Sequence, residues 1–169
     1  MDVGKLENAN WRCEIVKIFI SHKQEDSDTA NRLAGELRLL GIPYYLDILD
    51  STVTTSGRAL TEHIKRNLND CTDIIVIMSE ATRLSQWVPF EVGMSAQNDM
   101  PTATFLKSSV SLPEFLEYWP RLKYTSDIAT YVSARREVQN EYAKKSIYEM
   151  AQTTKSQTER FYDVLKRRL

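Results

Sequence analysis

An α/β fold built on a doubly wound parallel sheet is predicted by three features of the sequence. Short apolar runs rich in β-branched residues alternate with segments whose apolar residues recur at helical spacing. The runs contain few polar residues, as is typical of strands covered on both faces. Polar stretches directly follow several of these runs, as expected where parallel strands end together. We therefore expect a flavodoxin-like sheet of about five strands, with helices on both faces and extra C-terminal helices.

The strands and helices can be placed in order along the chain. The predicted strands are 15–20, 43–47, 73–79, 102–106 and 122–124. Helices are predicted over 28–40, around Leu60, Ile64 and Leu68, from Trp87 to about 98, briefly within 112–119, and over 127–150 and 156–169. Polar loops over 21–27, 48–57 and 80–87 each follow a strand, so they should gather at one edge of the sheet.

The domain organisation follows from the same pattern. Residues 1–13 form a polar N-terminal extension, 14–138 the main domain, and 139–169 a helical extension packed on or next to it. Ser156 and Glu159 have the spacing of a capping box at the start of the last helix. Phe161, Leu165 and Leu169 form one apolar stripe on that helix. This stripe could pack on the chain's own sheet or mediate assembly.

Composition argues against several classes of function. The 169-residue chain has a net charge of -1, which gives no bulk attraction to nucleic acid or anionic membranes. No apolar run approaches the roughly 20 residues of a membrane-spanning helix, and no secretory leader is apparent. Two cysteines without CxxC spacing and two distant histidines offer no metal cluster. No glycine-rich nucleotide fingerprint is present. We expect a cytoplasmic protein without a metal or cofactor.

One carboxylate follows the most apolar strand and lies on a helix face that should be packed inward. Trp87, Glu91, Met94 and Ser95 share one stripe of the predicted helix, and Pro89 suits its first turn. Burying a lone carboxylate is costly unless it has partners or a task. Most helical glutamates are nevertheless solvated, and most tryptophans are core aromatics, so spacing alone leaves a structural role open.

A series of short motifs runs through residues 14–138. Val16-Lys-Ile-Phe-Ile-Ser-His22 precedes a polar loop and a Leu-rich helix, and Tyr44-Tyr-Leu-Asp47 follows. Trp87 and Glu91 are separated by three residues, and a Leu112-Pro113 segment comes later. Together these motifs resemble a Toll/interleukin receptor (TIR) domain. In that family the pattern reads Trp-Cys-x-x-Glu, and Val88 stands at the cysteine position.

The resemblance implies an activity and its residues. Many TIR domains, especially bacterial and plant ones, break the nicotinamide–ribose bond of NAD with this glutamate, so Glu91 is implied as catalytic. Trp87 would wall the pocket, Ser21, His22 and Lys23 would line the nicotinamide-ribose and phosphate region, and Asp47 would close another side. One carboxylate suffices, because nicotinamide leaves from a cationic pyridinium and the transition state resembles an oxocarbenium ion.

The product would be ADP-ribose or a cyclic ADP-ribose isomer. The resemblance to stand-alone Thoeris-type TIR proteins further implies an anti-phage signal read by a separate effector, and homo-oligomers formed through TIR–TIR contacts. Two alternatives remain open at the level of the sequence. One is a non-enzymatic TIR–TIR scaffold, and the other is a nucleoside deoxyribosyltransferase-like N-glycosidic enzyme.

Overall fold

A five-stranded parallel sheet forms the centre of the molecule across the described residues. The computed structural model describes residues 15–46, 57–107, 110–145 and 156–169. The strands are β1 (Ile18–Ser21), β2 (Tyr44–Leu46), β3 (Asp73–Met78), β4 (Thr102–Leu106) and β5 (Arg121–Leu122). Their order is β2-β1-β3-β4-β5, and every neighbouring pair is parallel. The predicted doubly wound α/β fold is confirmed, and the strand order reverses at β1 and β3, where such sheets open a crevice.

Helices cover both faces of this sheet. They are α1 (Ser27–Leu39), α2 (Gly57–Asn69), α3 (Glu80–Arg83), α4 (Trp87–Gln97), α5 (Asp127–Ala143) and α6 (Gln157–Lys166). Two short 3-10 turns lie at Gln24–Asp26 and Glu114–Leu116. Within the described ranges, every helix is too short or too polar to span a lipid bilayer.

The sheet separates two apolar clusters. Because strand side chains alternate between faces, Ile18 and Ile20 of β1 pack on the side of α1, α5 and α6, whereas Phe19 packs on the side of α2 and α4. The β3 strand is buried along its whole length and alternates in the same way. We call these the α1 face and the α4 face. This alternation decides on which face each polar residue at the strand ends will lie.

Helix α6 is an integral part of the α1-face cluster. Ser156 and Glu159 form the predicted capping box. Phe161 and Leu165 are fully buried in the cluster. The helix was predicted to reach residue 169 but ends at Lys166, and Leu169, beyond its end, is 45% exposed. Residue 138, where the predicted domain boundary falls, lies inside α5.

A buried ion pair fixes α5 at the amino-terminal edge of the sheet. Asp73, the first residue of β3, accepts hydrogen bonds from Arg135 Nε at 2.7 Å, Arg135 Nη2 at 3.1 Å and the Tyr131 hydroxyl at 2.7 Å. Burial, and then the adjacent Asp73 charge, raise the pKa of Tyr131 well above its usual value, so this hydroxyl stays a donor. The Arg135 guanidinium also stacks 5.4 Å from the centre of the Phe161 ring.

Candidate functional site

Glu91 lies at the carboxyl-terminal edge of the sheet, on the α4 face. Its side chain is 1% exposed, and Ser21 Oγ donates a hydrogen bond to Glu91 Oε2. Ser21 ends β1 two residues after Phe19, so alternation directs its hydroxyl toward α4. The structure therefore brings two of the predicted site residues together across 70 positions of sequence.

The start of α4 sets the position of Glu91. Ser85 Oγ accepts hydrogen bonds from the backbone N–H groups of Trp87 at 3.2 Å and Val88 at 3.4 Å, which satisfies donors that lack a partner in the helix. Pro89 follows in the first turn, where its missing N–H costs nothing. Glu91 comes one turn after Trp87 and is thereby held on the inward side.

The other predicted pocket residues differ in what surrounds them. Trp87 is half-buried and packs edge-to-face on Phe90, with ring centres 6.0 Å apart. His22 is buried, with Nδ1 3.3 Å from the Ile20 carbonyl oxygen. Lys23 is partly exposed, and its ammonium lies 3.7 Å from the Glu25 carboxylate. Asp47 lies outside the described residues. The pocket roles of these side chains stay predictions.

A second buried carboxylate, which the sequence analysis missed, lies at the same edge on the α1 face. Asp26 is 1% exposed and accepts hydrogen bonds from Ser79 Oγ at 2.5 Å, Thr82 Oγ1 at 2.6 Å and Lys107 Nζ at 3.0 Å. We call these four residues the Asp26 cluster. A sequence signal did exist, because Ser79 and Lys107 directly follow the adjacent strands β3 and β4.

Comparisons with known proteins agree with this architecture. A family model described as a TIR domain matches residues 18–146, which is well over half of the chain. The chain belongs to the TIR domain family. The crystal structure of the TIR domain of the Toll-related receptor TRR-2 from Hydra magnipapillata is similar, with a TM-score of 0.54 and 19% identity over 73% of this chain and 95% of that one. This similarity shows a shared fold, and no curated protein sequence matches the chain.

The TIR match ends before α6. Residues 157–166 therefore lie beyond the matched region, although Phe161 and Leu165 complete the α1-face cluster of this TIR domain. The Glu91 site and the Asp26 cluster, in contrast, both lie within the matched residues.

The hydrogen bonds around Asp26 outweigh its burial. Burial by itself would raise the pKa of this carboxyl group, because water stabilises the charged form. The hydrogen bonds from Ser79 and Thr82, together with the hydrogen bond and charge of Lys107, have the larger combined effect and hold the pKa of Asp26 below its ordinary value of 3.8. Asp26 is therefore a carboxylate at neutral pH in this TIR domain.

We expect this lowered pKa to make the TIR domain sensitive to acid. A carboxyl group whose pKa is lower in the folded than in the unfolded state stabilises the fold above its unfolded pKa, and this contribution is lost as the pH falls through the folded pKa. The free energy of unfolding should thus fall below about pH 4, by up to about 1.4 kcal/mol per pH unit for this group.

Urea unfolding of the wild type and Asp26→Asn between about pH 5 and about pH 3 measures this contribution. The Asp26→Asn curve should fall less steeply with acid than the wild-type curve. Glu80→Gln, which removes one exposed carboxyl group, serves as the control with which the Asp26→Asn curve is compared. Equal slopes for wild type and Asp26→Asn would contradict the assignment.

Ligands for a metal are not gathered in the part of the chain that the structure describes. Within these ranges, no three His, Cys, Asp or Glu residues lie close enough to hold a metal ion. Cys71 is a buried cysteine with a free thiol, and burial raises the pKa of this thiol to about 11. The thiol is therefore protonated at neutral pH and is a poor nucleophile.

Proposed function

We propose that this TIR-domain protein cleaves the nicotinamide–ribose bond of NAD, with Glu91 as the catalytic carboxylate. The observation that best supports this proposal is a buried Glu91 that accepts a hydrogen bond from Ser21 at the carboxyl edge of a parallel sheet. Ligands of doubly wound sheets bind at that edge. A buried carboxylate in such a place is a candidate for catalysis. The TIR family includes NAD-cleaving enzymes, and this agrees with a catalytic role for Glu91.

In the proposed reaction, the bond between the ribose C1′ atom and the pyridinium nitrogen breaks. Its electron pair goes to nicotinamide, which leaves neutral and needs no proton from an acid. Positive charge then develops on the ribose ring, and the Glu91 carboxylate stabilises it. Ser21 fixes one oxygen of that carboxylate. A water oxygen then bonds to C1′ and releases a proton to solvent, which gives ADP-ribose, or an atom of the same ADP-ribosyl moiety bonds to C1′ and closes a cyclic isomer.

The remaining pocket residues have binding roles in this proposal. Trp87, half-buried one turn before Glu91, walls the pocket. His22 and Lys23, directly after Ser21, line the ribose and phosphate region, where the Lys23 ammonium can pair with phosphate once it leaves Glu25. Asp47, which lies outside the described residues, keeps the role that the TIR resemblance implies for it, closing another side of the pocket. In this proposal NAD is the substrate, and the reaction uses neither a metal nor a cofactor.

Incubating the purified protein with NAD tests the proposal directly. Chromatography follows nicotinamide release, and mass spectrometry of the second product separates ADP-ribose from cyclic isomers. Because TIR domains commonly self-associate, the assay is run over a range of protein concentrations. Nicotinamide release supports the proposal, and its absence at every concentration contradicts it. Turnover of deoxynucleosides without turnover of NAD would instead favour the deoxyribosyltransferase-like alternative.

We expect Ser21→Ala to lower the rate of nicotinamide release about 10- to 100-fold. The substitution removes the hydroxyl that donates to Glu91 Oε2, so this oxygen is positioned less precisely relative to the ribose. Thr61→Ala is the control and should keep wild-type activity. It removes a hydroxyl whose hydrogen bond, to the Gly57 carbonyl oxygen, lies within α2. An unchanged kcat for Ser21→Ala would show that Ser21 does not position Glu91.

A second function, assembly through TIR–TIR contacts, is favoured by exposed apolar side chains beside the site. Leu84 is 74% exposed and Phe90 is 36% exposed, three positions before and three positions after the half-buried Trp87 in the sequence. Apolar side chains grouped at a surface are typical of interaction sites. Light scattering on the wild type and on Leu84→Ser tests this function. Self-association that Leu84→Ser weakens, without any NAD cleavage, would support a scaffold rather than an enzyme.

The signalling role extends the proposal. We propose that the product acts in the cytoplasm as a signal to a separate effector in anti-phage defence, a step supported by the resemblance to Thoeris-type TIR proteins. Phage challenge of cells that carry the wild type or Glu91→Gln tests this step. Protection by the wild type alone would support it, whereas equal survival would contradict it.

A further inference from the structure

The Asp26 cluster joins parts of the carboxyl edge that are distant in sequence. Asp26 ends the 3-10 turn that precedes α1. Of its three donors, Ser79 directly follows β3, Thr82 lies in α3, and Lys107 directly follows β4. These donors are 53, 56 and 81 residues away along the chain. The four residues therefore fix the ends of β1, β3 and β4 relative to one another.

Both segments that Asp26 holds lead directly to the hydrogen bond between Ser21 and Glu91. On one side, Asp26 follows Ser21 by five positions, and its backbone N–H closes a turn on the Lys23 carbonyl oxygen at 2.8 Å. On the other side, Ser79 Oγ caps α3 by accepting the Thr82 N–H at 3.2 Å. Three residues then connect α3 to α4, which carries Glu91.

Asp26 and Glu91 lie on opposite faces of the sheet. Met78 belongs to the α4-face cluster, so Ser79, the next residue, is directed to the α1 face. Phe105 belongs to the α1-face cluster, and Lys107 follows it by two positions. Glu91 lies on the α4 face, which is the opposite face from the donors that hold Asp26. The covalent connection between Asp26 and the Glu91 site runs through the backbone of the two segments.

We propose that Asp26 is a positioning residue that aligns the segments 21–26 and 79–87, so that Ser21 meets Glu91 in the geometry that NAD cleavage needs. This inference rests on the proposed function. Its physical basis is that a small displacement of a reacting group has a large effect on rate, with about 1 Å costing about 100-fold. The ion pair with Lys107 and the two hydroxyl donors supply the rigidity.

Asp26→Asn is the first test. The carboxamide has the size of the carboxylate, but its NH₂ group directs donor hydrogens at a site that already contains three donors. We expect kcat for nicotinamide release to fall at least about tenfold and KM to change less than about threefold. Lys107→Met should lower kcat in the same direction and Lys107→Arg should restore it. Because the Lys107 side chain is 41% exposed, this pair serves if Asp26→Asn does not fold.

Asp73→Asn is the matched control. Asp73 is an equally buried, ion-paired carboxylate, but it lies at the opposite end of β3, bound to Arg135. Its loss should destabilise the fold and leave kcat within about twofold of wild type at a temperature where circular dichroism shows the variant folded. Equal losses of kcat in Asp26→Asn and Asp73→Asn, or a wild-type kcat in both Asp26→Asn and Lys107→Met, would overturn the proposal.

Hydrogen exchange separates this proposal from the proposed function. In Asp26→Asn, backbone amides of residues 80–91 should exchange at least about tenfold faster than in the wild type, whereas amides of α5 should be unchanged. If the wild type releases no nicotinamide, the proposed function fails, and exchange alone decides whether Asp26 aligns these segments. Unchanged exchange in residues 80–91 would then overturn the alignment.

Discussion

Glu91→Gln is expected to lower the rate of nicotinamide release about 1,000-fold, which corresponds to about 4 kcal/mol of transition-state stabilisation. Glutamine has the size of glutamate, so the side chains around position 91 keep their packing. It lacks the negative charge that would face the ribose as it becomes an oxocarbenium ion. The loss should therefore appear in kcat more than in KM, because the charge develops mainly in the transition state.

The variant should remain folded. The side-chain oxygen of glutamine can still accept the hydrogen bond from Ser21 Oγ, and a neutral side chain is less costly to bury than a charge. Circular dichroism and thermal unfolding check this point. Glu80→Gln is the matched control, because Glu80 lies at the same edge of the sheet but is exposed and paired with Arg83 at 3.1 Å. Its activity should stay within about twofold of wild type, as expected for a surface ion pair of small energy.

Two outcomes would contradict the role of Glu91. One is Glu91→Gln activity above about a tenth of wild type, which is too high for a residue whose charge stabilises the transition state. The other is an equal loss in Glu91→Gln and Glu80→Gln, which would show that the assay responds to general charge or stability.

The sheet and its order of elements could be predicted because they depend on local patterns. The β-branched run that became β1 and the apolar run that became β3 are buried on both faces, and such strands are recognisable without knowing their neighbours. The inward position of Glu91 was predictable for a similar reason, since Trp87 and Glu91 are one helical turn apart. These features depend on sequence separations of four residues or fewer.

The contacts of the site could not be predicted, because they join residues far apart in sequence. Ser21 and Glu91 are 70 positions apart, so nothing in either segment identifies the other as its partner. Asp26 is one of several polar residues in the predicted loop 21–27. It is buried against hydrogen-bond donors that follow β3 and β4, namely Ser79 and Lys107. From the sequence alone, Arg135 likewise resembles a solvated helical residue. Its partner Asp73 lies 62 positions away and becomes its neighbour only in the folded sheet.

The C-terminal stripe shows where local pattern succeeds and where it ends. Phe161 and Leu165 were expected on one face of the last helix, and both are buried. Leu169 fits the same spacing but lies beyond the end of α6, where it is 45% exposed. Spacing can identify which residues share a helix face, but the length of the helix and its packing partner decide which of them are buried.

Phe161→Ala is expected to lower the free energy of unfolding by about 3–5 kcal/mol. The Phe161 ring is fully buried, packs edge-to-face on Tyr131 with ring centres 5.0 Å apart, and lies beneath the Arg135 guanidinium. Its removal leaves a cavity and opens one side of the buried ion pair with Asp73. Urea unfolding followed by circular dichroism measures the change. Leu169→Ala, a truncation on the same helical stripe at a 45% exposed position, should cost less than about 0.5 kcal/mol.

This pair of variants also decides between the two roles that the sequence left open for the C-terminal stripe. If α6 serves its own core, Phe161→Ala should destabilise the monomer, and light scattering on the folded fraction should show unchanged association. If the stripe instead mediated assembly, Phe161→Ala would reduce association and leave the free energy of unfolding of the monomer unchanged. The burial of Phe161 against Tyr131 within one chain favours the first outcome, since an apolar side chain covered by its own domain offers no surface to a partner.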